Sequence, residues 1–427
     1  MQNQRHHGTN AAMDLVLRNA RLPGGPAALT DIGIAGGRIA AIGPGLATSA
    51  PAIDLGGRLA CGGLVESHIH LDKAWVFDRT APEPGRIADA IRRSSAVKHS
   101  FTETDVHARA CRVLARAAAF GTTRMRTQVE LDPIVGLRGL HGVQQAIADF
   151  AGRIDVEICV FPEEGLTNNP GTDELLVTAL EAGVRVIGGS PASDTDGPAQ
   201  LHRIFELARR YDCDVDLHVD FGNTPDPMDI ALVCDLTERH RLGGRVTVAH
   251  LTKLTTAPLD RQRAIARRMA AAGVACTVLP ATDLFLMGRD QTDNVRRGVV
   301  DANMLLAEGV NACIGTNNVL NAFTPFGDAS ILRIANLYAH IVQISTDAQL
   351  ADCFDMITSR AARVLNHTGY GIAPGNPADI VVLDAATPVQ ALRELRQPVM
   401  AFKRGRQTLR WDPPVLLPLP PDAGPPP

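Results

Sequence analysis

The chain has 427 residues, 45% of them hydrophobic and 21% charged, with a formal net charge of −4. That length exceeds one ordinary domain, fits an α/β barrel carrying a second module, and can bury a core without disulfide or metal staples. The charge balance offers no handle to nucleic acid or to an anionic membrane, so neither is expected as a partner.

Residues 1–12 are polar, lack the apolar stretch of a secretory signal and read as a disordered leader. His6 and His7 lie in it, and a weak metal-binding pair is the lesser reading there. Short strands follow at residues 15–17, 31–34 and 38–42, with a further candidate at 53–55, separated by Gly-rich turns. They suggest an antiparallel sheet. Residues 379–383 and 398–404 have the same character near the other end. A small β-sandwich domain composed of both termini, residues 13–60 with 375–411, is therefore expected. Residues 412–427 form a Pro-rich tail.

Between the two ends, residues 61–374 alternate apolar β-runs with Ala- and Arg-rich helical stretches, the pattern of a parallel β/α sheet. Eight runs stand out, at 64–70, 122–129, 156–161, 184–187, 215–219, 246–250, 274–278 and 311–314. Helical stretches include 104–119, 200–210, 261–272 and 301–307. Eight such units point to a closed TIM-type (β/α)8 barrel, and no G-x-G-x-x-G follows the first run to favour a dinucleotide fold. The eight cysteines are scattered singly with no C-x-x-C pair, as expected of buried reduced thiols in a cytoplasmic enzyme. No apolar run is long enough to span a bilayer.

In such a barrel the active site lies at the C-terminal ends of the strands, and polar residues collect there. His68 and His70 end the first run, Gln128 and Glu130 the second, His218 and Asp220 the fifth and His250 the sixth. Glu163 and Glu164 follow the third, and Asn317 and Asn318 the eighth. Side chains two apart on a strand share a face, so His68 and His70 can reach one metal ion. A lone H-x-H is weak evidence, and two packed histidines are the alternative. The end of a buried strand favours ligation. With that pair present, His218 and His250 also read as site residues. Three neutral imidazoles suit Zn²⁺ or Fe²⁺ better than Mg²⁺ or Ca²⁺.

These residues resemble the metal-dependent amidohydrolase superfamily, and its cytosine deaminase branch in particular. Leu64 to Asp72 (LVESHIHLD) is similar to the first-strand motif. Val160 to Gly165 resembles the Phe-Pro-Gln-Glu-Gly segment, and Leu217 to Asp220 and Ala249 to Thr252 resemble the fifth- and sixth-strand His motifs. Asn311 to Val319 (NACIGTNNV) is similar to the eighth-strand Gly-His-Asp-Asp-Val. MDLVLRNARL and PGNPADIVVLDA at the two ends resemble the superfamily's sheet domain, so the likeness covers residues 13–410.

The resemblance implies that His68, His70 and His218 ligate one divalent metal ion, Zn²⁺ or Fe²⁺, and that His250 sits beside the attacking water. It also implies that Glu163 occupies the place of a substrate-binding Gln. Gln128, Phe221 and Asn318 complete the expected substrate contacts. Lys73, just after the first motif, is expected to face the barrel mouth, with no role beyond a surface lysine assigned to it. No Lys follows the fourth run, which argues against a second metal ion.

Two departures bear on proton transfer, beside Asn318 in place of a substrate-contacting Asp. Asn317 stands where a metal-ligating Asp is usual, and Phe221 where a Glu shuttles protons. A carboxamide is no base, though its oxygen can still touch a metal. Three imidazoles on a dication can still bring the pKa of water to about 7. The proton then needs an acceptor. His250 is the first candidate, with Asp220 and Glu163 behind it. Glu163, Glu164 and Asp220 together imply an acidic mouth and a cationic or N–H-rich substrate, with a solvated loop as the alternative for Glu164.

The function expected is metal-dependent hydrolysis of a non-peptide carbon–nitrogen bond in a small nitrogenous compound. Hydrolysis of a cyclic amide or carbamate-type bond is the first alternative, and a catalytically degenerate small-molecule binder the second. A homo-oligomer is expected by resemblance.

Overall fold

The computed structural model describes residues 13–25, 28–80, 86–412 and 414–417. The expected leader, with His6 and His7, lies outside the described residues, as does most of the tail.

Alternating apolar and turn-forming segments at the N-terminus build β1 (Leu15–Ala20), β2 (Thr30–Ala35), β3 (Arg38–Gly43) and β4 (Ala52–Asp54), ordered β3-β2-β1-β4. β1 and β2 pair antiparallel, but β1 and β4 pair parallel, so the sheet is mixed and not purely antiparallel as its turns suggested. β5 (Leu59–Gly62) leaves this sheet and starts the route into the barrel.

The barrel strands are β6 (Leu64–Ile69), β7 (Thr122–Glu130), β8 (Asp155–Phe161), β9 (Val186–Gly189), β10 (Asp214–Val219), β11 (Val246–His250), β12 (Val274–Val278) and β13 (Ala312–Ile314). They run parallel in sequence order. Connecting them are α1 (Ile87–Lys98), α2 (Glu103–Ala119), α3 (Arg138–Asp149), α4 (Thr172–Glu181), α5 (Gly197–Tyr211), α6 (Ile230–His240), α7 (Leu259–Ala272), α8 (Pro280–Leu286) and α9 (Ala302–Ala307). The ring closes between first and last strands through Asn317, whose N–H donates to His68 O at 2.8 Å and whose C=O accepts from His70 N at 2.9 Å. This is a TIM-type (β/α)8 barrel, as the eight runs indicated.

β14 (Ile380–Leu383), β15 (Pro398–Lys403) and β16 (Arg406–Arg410) form a second four-stranded antiparallel sheet with β5. Leu17, Ile32 and Ile34 of the first sheet share one apolar core with Ile380, Val382 and Phe402 of the second, so chain from both termini packs face to face. Gly63, between β5 and β6, is required by close approach: a Cβ there would lie 2.0 Å from Thr123 Oγ1.

All eight cysteines are unpaired, seven of them buried. Among the described residues, no helix is long and apolar enough to cross a membrane.

Candidate active site

Strand alternation carries His68 and His70 to the inside of the barrel at the end of β6, and β10 brings His218 to meet them. His68 Nε2 and His218 Nε2 are 3.1 Å apart, and His218 Nε2 and His70 Nε2 3.4 Å. Burial pulls all three imidazoles below their ordinary pKa, His70 and His218 strongly, so they are held neutral and able to ligate. Facing ring nitrogens at this spacing can share at most a proton between any two. A cation among them satisfies all three lone pairs.

Asn317 adds an oxygen to the same place. Its side chain is buried, it lines the pocket with His70 and His218, and its Oδ1 has no hydrogen-bond partner among the described residues. An orphaned carbonyl oxygen beside three convergent imidazoles fits a divalent ion of the borderline class. Glu66 fixes this end of the site. Its carboxylate accepts from His68 N at 3.1 Å and Thr316 N at 3.0 Å, tying β6 to the segment that carries Asn317.

His250 ends β11 with φ of 74° and lines the pocket. Its Nδ1 lies 2.6 Å from Asp283 Oδ1. The carboxylate can only accept, so Nδ1 carries the hydrogen and Nε2 keeps a free lone pair. Asp283 lies in the first turn of α8 and is fully buried, which lifts its carboxyl above the ordinary range against the opposing pull of His250. Sequence reasoning missed it. The available signal was a single acid in the otherwise apolar stretch just past the seventh strand.

Lys73 faces the barrel mouth as expected but is not a surface lysine. It is buried, at 2% exposure, and lines the pocket. Its ammonium contacts the Glu163 carboxylate, lies 3.8 Å from Glu130, and sits between the rings of Phe161 (5.3 Å) and Phe323 (5.4 Å). Burial pulls its pKa down, opposed by Glu130 and Asp72. Behind it, Lys98 of α1 reaches Glu130 at 2.6 Å, Glu164 at 2.5 Å, and Asp132. The mouth is therefore not a bare acidic surface, because each carboxylate meets a lysine. The expectation of a cationic substrate loses its basis, and Glu164 is an ion-pair partner and not a solvated loop acid.

Two further expected residues stand elsewhere. Asp220 turns its carboxylate to the backbone of the next helix, accepting from Asp229 N at 2.7 Å and Ile230 N at 3.0 Å at the start of α6. It is 1% exposed and is not brought to the pocket, so it holds structure where a proton acceptor was expected. Gln128 is fully buried behind His68, with Nε2 3.2 Å from His68 Nδ1, and is not a pocket residue.

Asn318 and Phe221 do line the pocket. Asn318 accepts from Asn321 Nδ2 at 2.6 Å, and the Phe221 ring packs 4.6 Å from that of His250. Ile87, Ile91, Leu286 and Phe323 supply an apolar wall. The result is a pocket with one apolar side, an ammonium–carboxylate pair, and histidines at its floor.

Comparison with known proteins agrees with this architecture. Residues 85–409 match the amidohydrolase family. The N-isopropylammelide isopropyl amidohydrolase of Pseudomonas sp. (strain ADP) is 26% identical over 92% of this chain and 96% of its own. The pterin deaminase of Rhizobium rhizogenes is 27% identical over 80% of this chain and 78% of its own. The crystal structure of Klebsiella pneumoniae 5-methylcytosine deaminase liganded with 5-fluorocytosine superposes with a TM-score of 0.89 at 28% identity, covering 94% of this chain and 99% of that one. The chain belongs to the amidohydrolase family and is a hydrolase of carbon–nitrogen bonds outside the peptide backbone.

Proposed function

We propose that this hydrolase removes an amino or alkylamino group from a small nitrogen heterocycle that carries an O=C–N–H edge. The observation that carries the reading is the Asp283-backed His250 facing the same pocket as His70, His218 and Asn317. The three named relatives, described by ammelide, pterin and cytosine compounds, lend it support.

In this reading His68, His70 and His218, with Asn317 Oδ1, hold one Zn²⁺ or Fe²⁺ ion. Such an ion supplies Lewis acidity, making water nucleophilic near neutral pH. The remaining work falls to the chain. Phe221, Phe323, Ile87, Ile91 and Leu286 cover the ring faces and exclude water. Lys73 Nζ donates to the substrate carbonyl while the adjacent Glu163 carboxylate accepts from the neighbouring N–H, so the pair reads both halves of an amide edge. Asn318 offers a further polar contact.

His250 Nε2 takes the proton of the attacking water, Asp283 steadies the imidazolium, and the same proton passes to the departing nitrogen. A C–O bond forms and the C–N bond breaks, the second water hydrogen moves from the new hydroxyl to the ring nitrogen, and the products are a ring carbonyl and an amine or ammonia. This acceptor answers the loss of Asp at 317. The reading also includes a cytoplasmic homo-oligomer, which sedimentation tests independently.

Metal-loaded protein offered a panel of amino- and alkylamino-substituted pyrimidinones, pterins and triazinones should release ammonia or amine. Ring-opened acids would instead indicate cyclic amide hydrolysis, and saturable binding with no product would leave a non-catalytic binder.

A further inference from the structure

The negative charge that Asn317 withholds from the histidine cluster is held one layer deeper in the barrel. Arg126 on β7 is among the largest fully buried side chains, and Asp216 on β10 is fully buried two residues before His218. Arg126 Nε donates to Glu157 at 2.8 Å and its Nη1 to Asp216 Oδ2 at 3.1 Å. One oxygen of Asp216 is thereby committed. The other, Oδ1, lies 3.5 Å from His68 Nδ1 and has no hydrogen-bond partner among the described residues.

Gln128 reaches the same nitrogen from another side. Its Nε2 is 3.2 Å from His68 Nδ1, and its Oε1 is likewise without a partner. If Gln128 donates to Nδ1, His68 must carry its hydrogen on Nε2, which points at His218 and would be blocked from ligating. Two buried acceptors, Asp216 Oδ1 and Gln128 Oε1, would then stay unpaired at a cost of about 1–3 kcal/mol each. If His68 instead carries its hydrogen on Nδ1, the Asp216 oxygen gains a donor and Nε2 is freed for a metal. A Gln amide can be turned end for end, so Gln128 does not oppose this arrangement: its oxygen then shares the Nδ1–H with Asp216, and only Asp216 brings a charge to it.

We propose that Asp216, held in place by Arg126, is a positioning residue that fixes the Nδ1–H tautomer of His68 and sets the divalent-metal affinity of the site. The inference rests on the reading of His68, His70 and His218 as a metal site. It goes beyond that reading by assigning the strength of the site to residues that do not touch the ion. Three neutral imidazoles and a carboxamide leave a dication uncompensated. A buried carboxylate behind one imidazole raises the basicity of that ligand and returns part of the missing charge. Were Asp216 and Arg126 only a filler pair of the barrel interior, breaking it would lower stability and leave affinity unchanged.

The test measures Zn²⁺ affinity of the full-length protein by competition with a chromogenic chelator, alongside thermal unfolding of the metal-free forms. Asp216→Asn should weaken Zn²⁺ binding by about 10–100-fold and shift the visible spectrum of the Co²⁺-loaded protein. Arg126→Lys should weaken binding less, and Gln128→Met should stay close to wild type. Unchanged affinity in Asp216→Asn, or an equal loss in Gln128→Met, overturns the proposal. Should Asp216→Asn fail to fold, long-range ¹H–¹⁵N spectra of the wild-type histidines decide. A His68 hydrogen on Nδ1 supports the proposal, and one on Nε2 overturns it. Turnover is not read, so a failed substrate panel leaves this result standing, whereas wild-type protein that binds no Zn²⁺ removes the metal reading beneath both.

Discussion

A histidine serves as a base only if the proton it already carries is on the other nitrogen, and at His250 that depends on Asp283, 2.6 Å from Nδ1. An amide in place of the carboxylate can offer Nδ1 a hydrogen and invert the tautomer. Asp283→Asn is therefore expected to lower kcat by about 10²–10⁴-fold while metal content, measured by elemental analysis, stays at the wild-type level. An unchanged kcat would mean that His250 is not the proton acceptor. The four histidines could be read from the sequence because each lies at or near the end of a β-run, where strand periodicity dictates which way a side chain faces. Asp283 and Lys73 could not. Asp283 lies on a helix turn, and the burial of Lys73 is decided by Glu163 and Glu130, residues distant in the chain whose approach no local pattern records. Asp220 misled for a related reason: it follows a strand directly, but φ of 55° turns its backbone away and its carboxylate caps the next helix.

The elements were more legible than their pairing. All eight barrel strands overlap the expected runs, β9 by two residues, whereas β16 (RQTLR) escaped notice because it carries no apolar run and β5 because it abuts β6, and the parallel β1–β4 register depends on contacts that sequence periodicity does not encode. Loops behave like the pairings. The segment after β8, which carries Glu163, is anchored from the loop after β9 by Asp194, which accepts from Leu166 N at 2.6 Å, Thr167 N at 3.0 Å and Gln200 Nε2 at 2.8 Å. Burial acts against the ionised form of Asp194, but hydrogen bonds from Thr167, Leu166 and Gln200 outweigh it and draw the pKa down to about 2. A carboxyl with a lowered folded-state pKa contributes stability above its ordinary value of 3.8 and loses it as the pH falls toward 2. Denaturant unfolding should accordingly show Asp194→Ala less stable than wild type at pH 6, with the gap narrowing below pH 4. A gap independent of pH down to 2 would mean that the carboxylate charge is not what holds the loop.

At the scale of the whole molecule, the two ends of the chain are bolted to the barrel at a point remote in sequence from the histidines. Lys403 of β15 is 1% exposed, and its ammonium donates to Thr123 O at 3.1 Å, Asp155 Oδ2 at 2.8 Å and Asp379 Oδ2 at 2.6 Å. Thr123 and Asp155 begin β7 and β8, so one side chain joins the C-terminal sheet to the N-terminal ends of two barrel strands, opposite the pocket. Removing the cation leaves the Asp379 carboxylate without an ion-pair partner among the described residues, while Asp155 keeps Arg124 at 2.9 Å. Lys403→Met should therefore destabilise the fold by up to about 3–5 kcal/mol, with solvent access to Asp155 and Asp379 holding the loss toward the lower figure. Metal affinity and kcat, measured well below the unfolding temperature, should remain at wild-type values, because no link of the His68, His250 or Lys73 networks passes through Lys403. The double variant Lys403→Met, Asp379→Asn removes the carboxylate left without a cation and should recover much of the loss. If the single variant instead weakens Zn²⁺ binding in proportion to its loss of stability, barrel closure and metal binding are coupled through the terminal sheets, and the separation of scaffold from site at opposite ends of the strands fails for this protein.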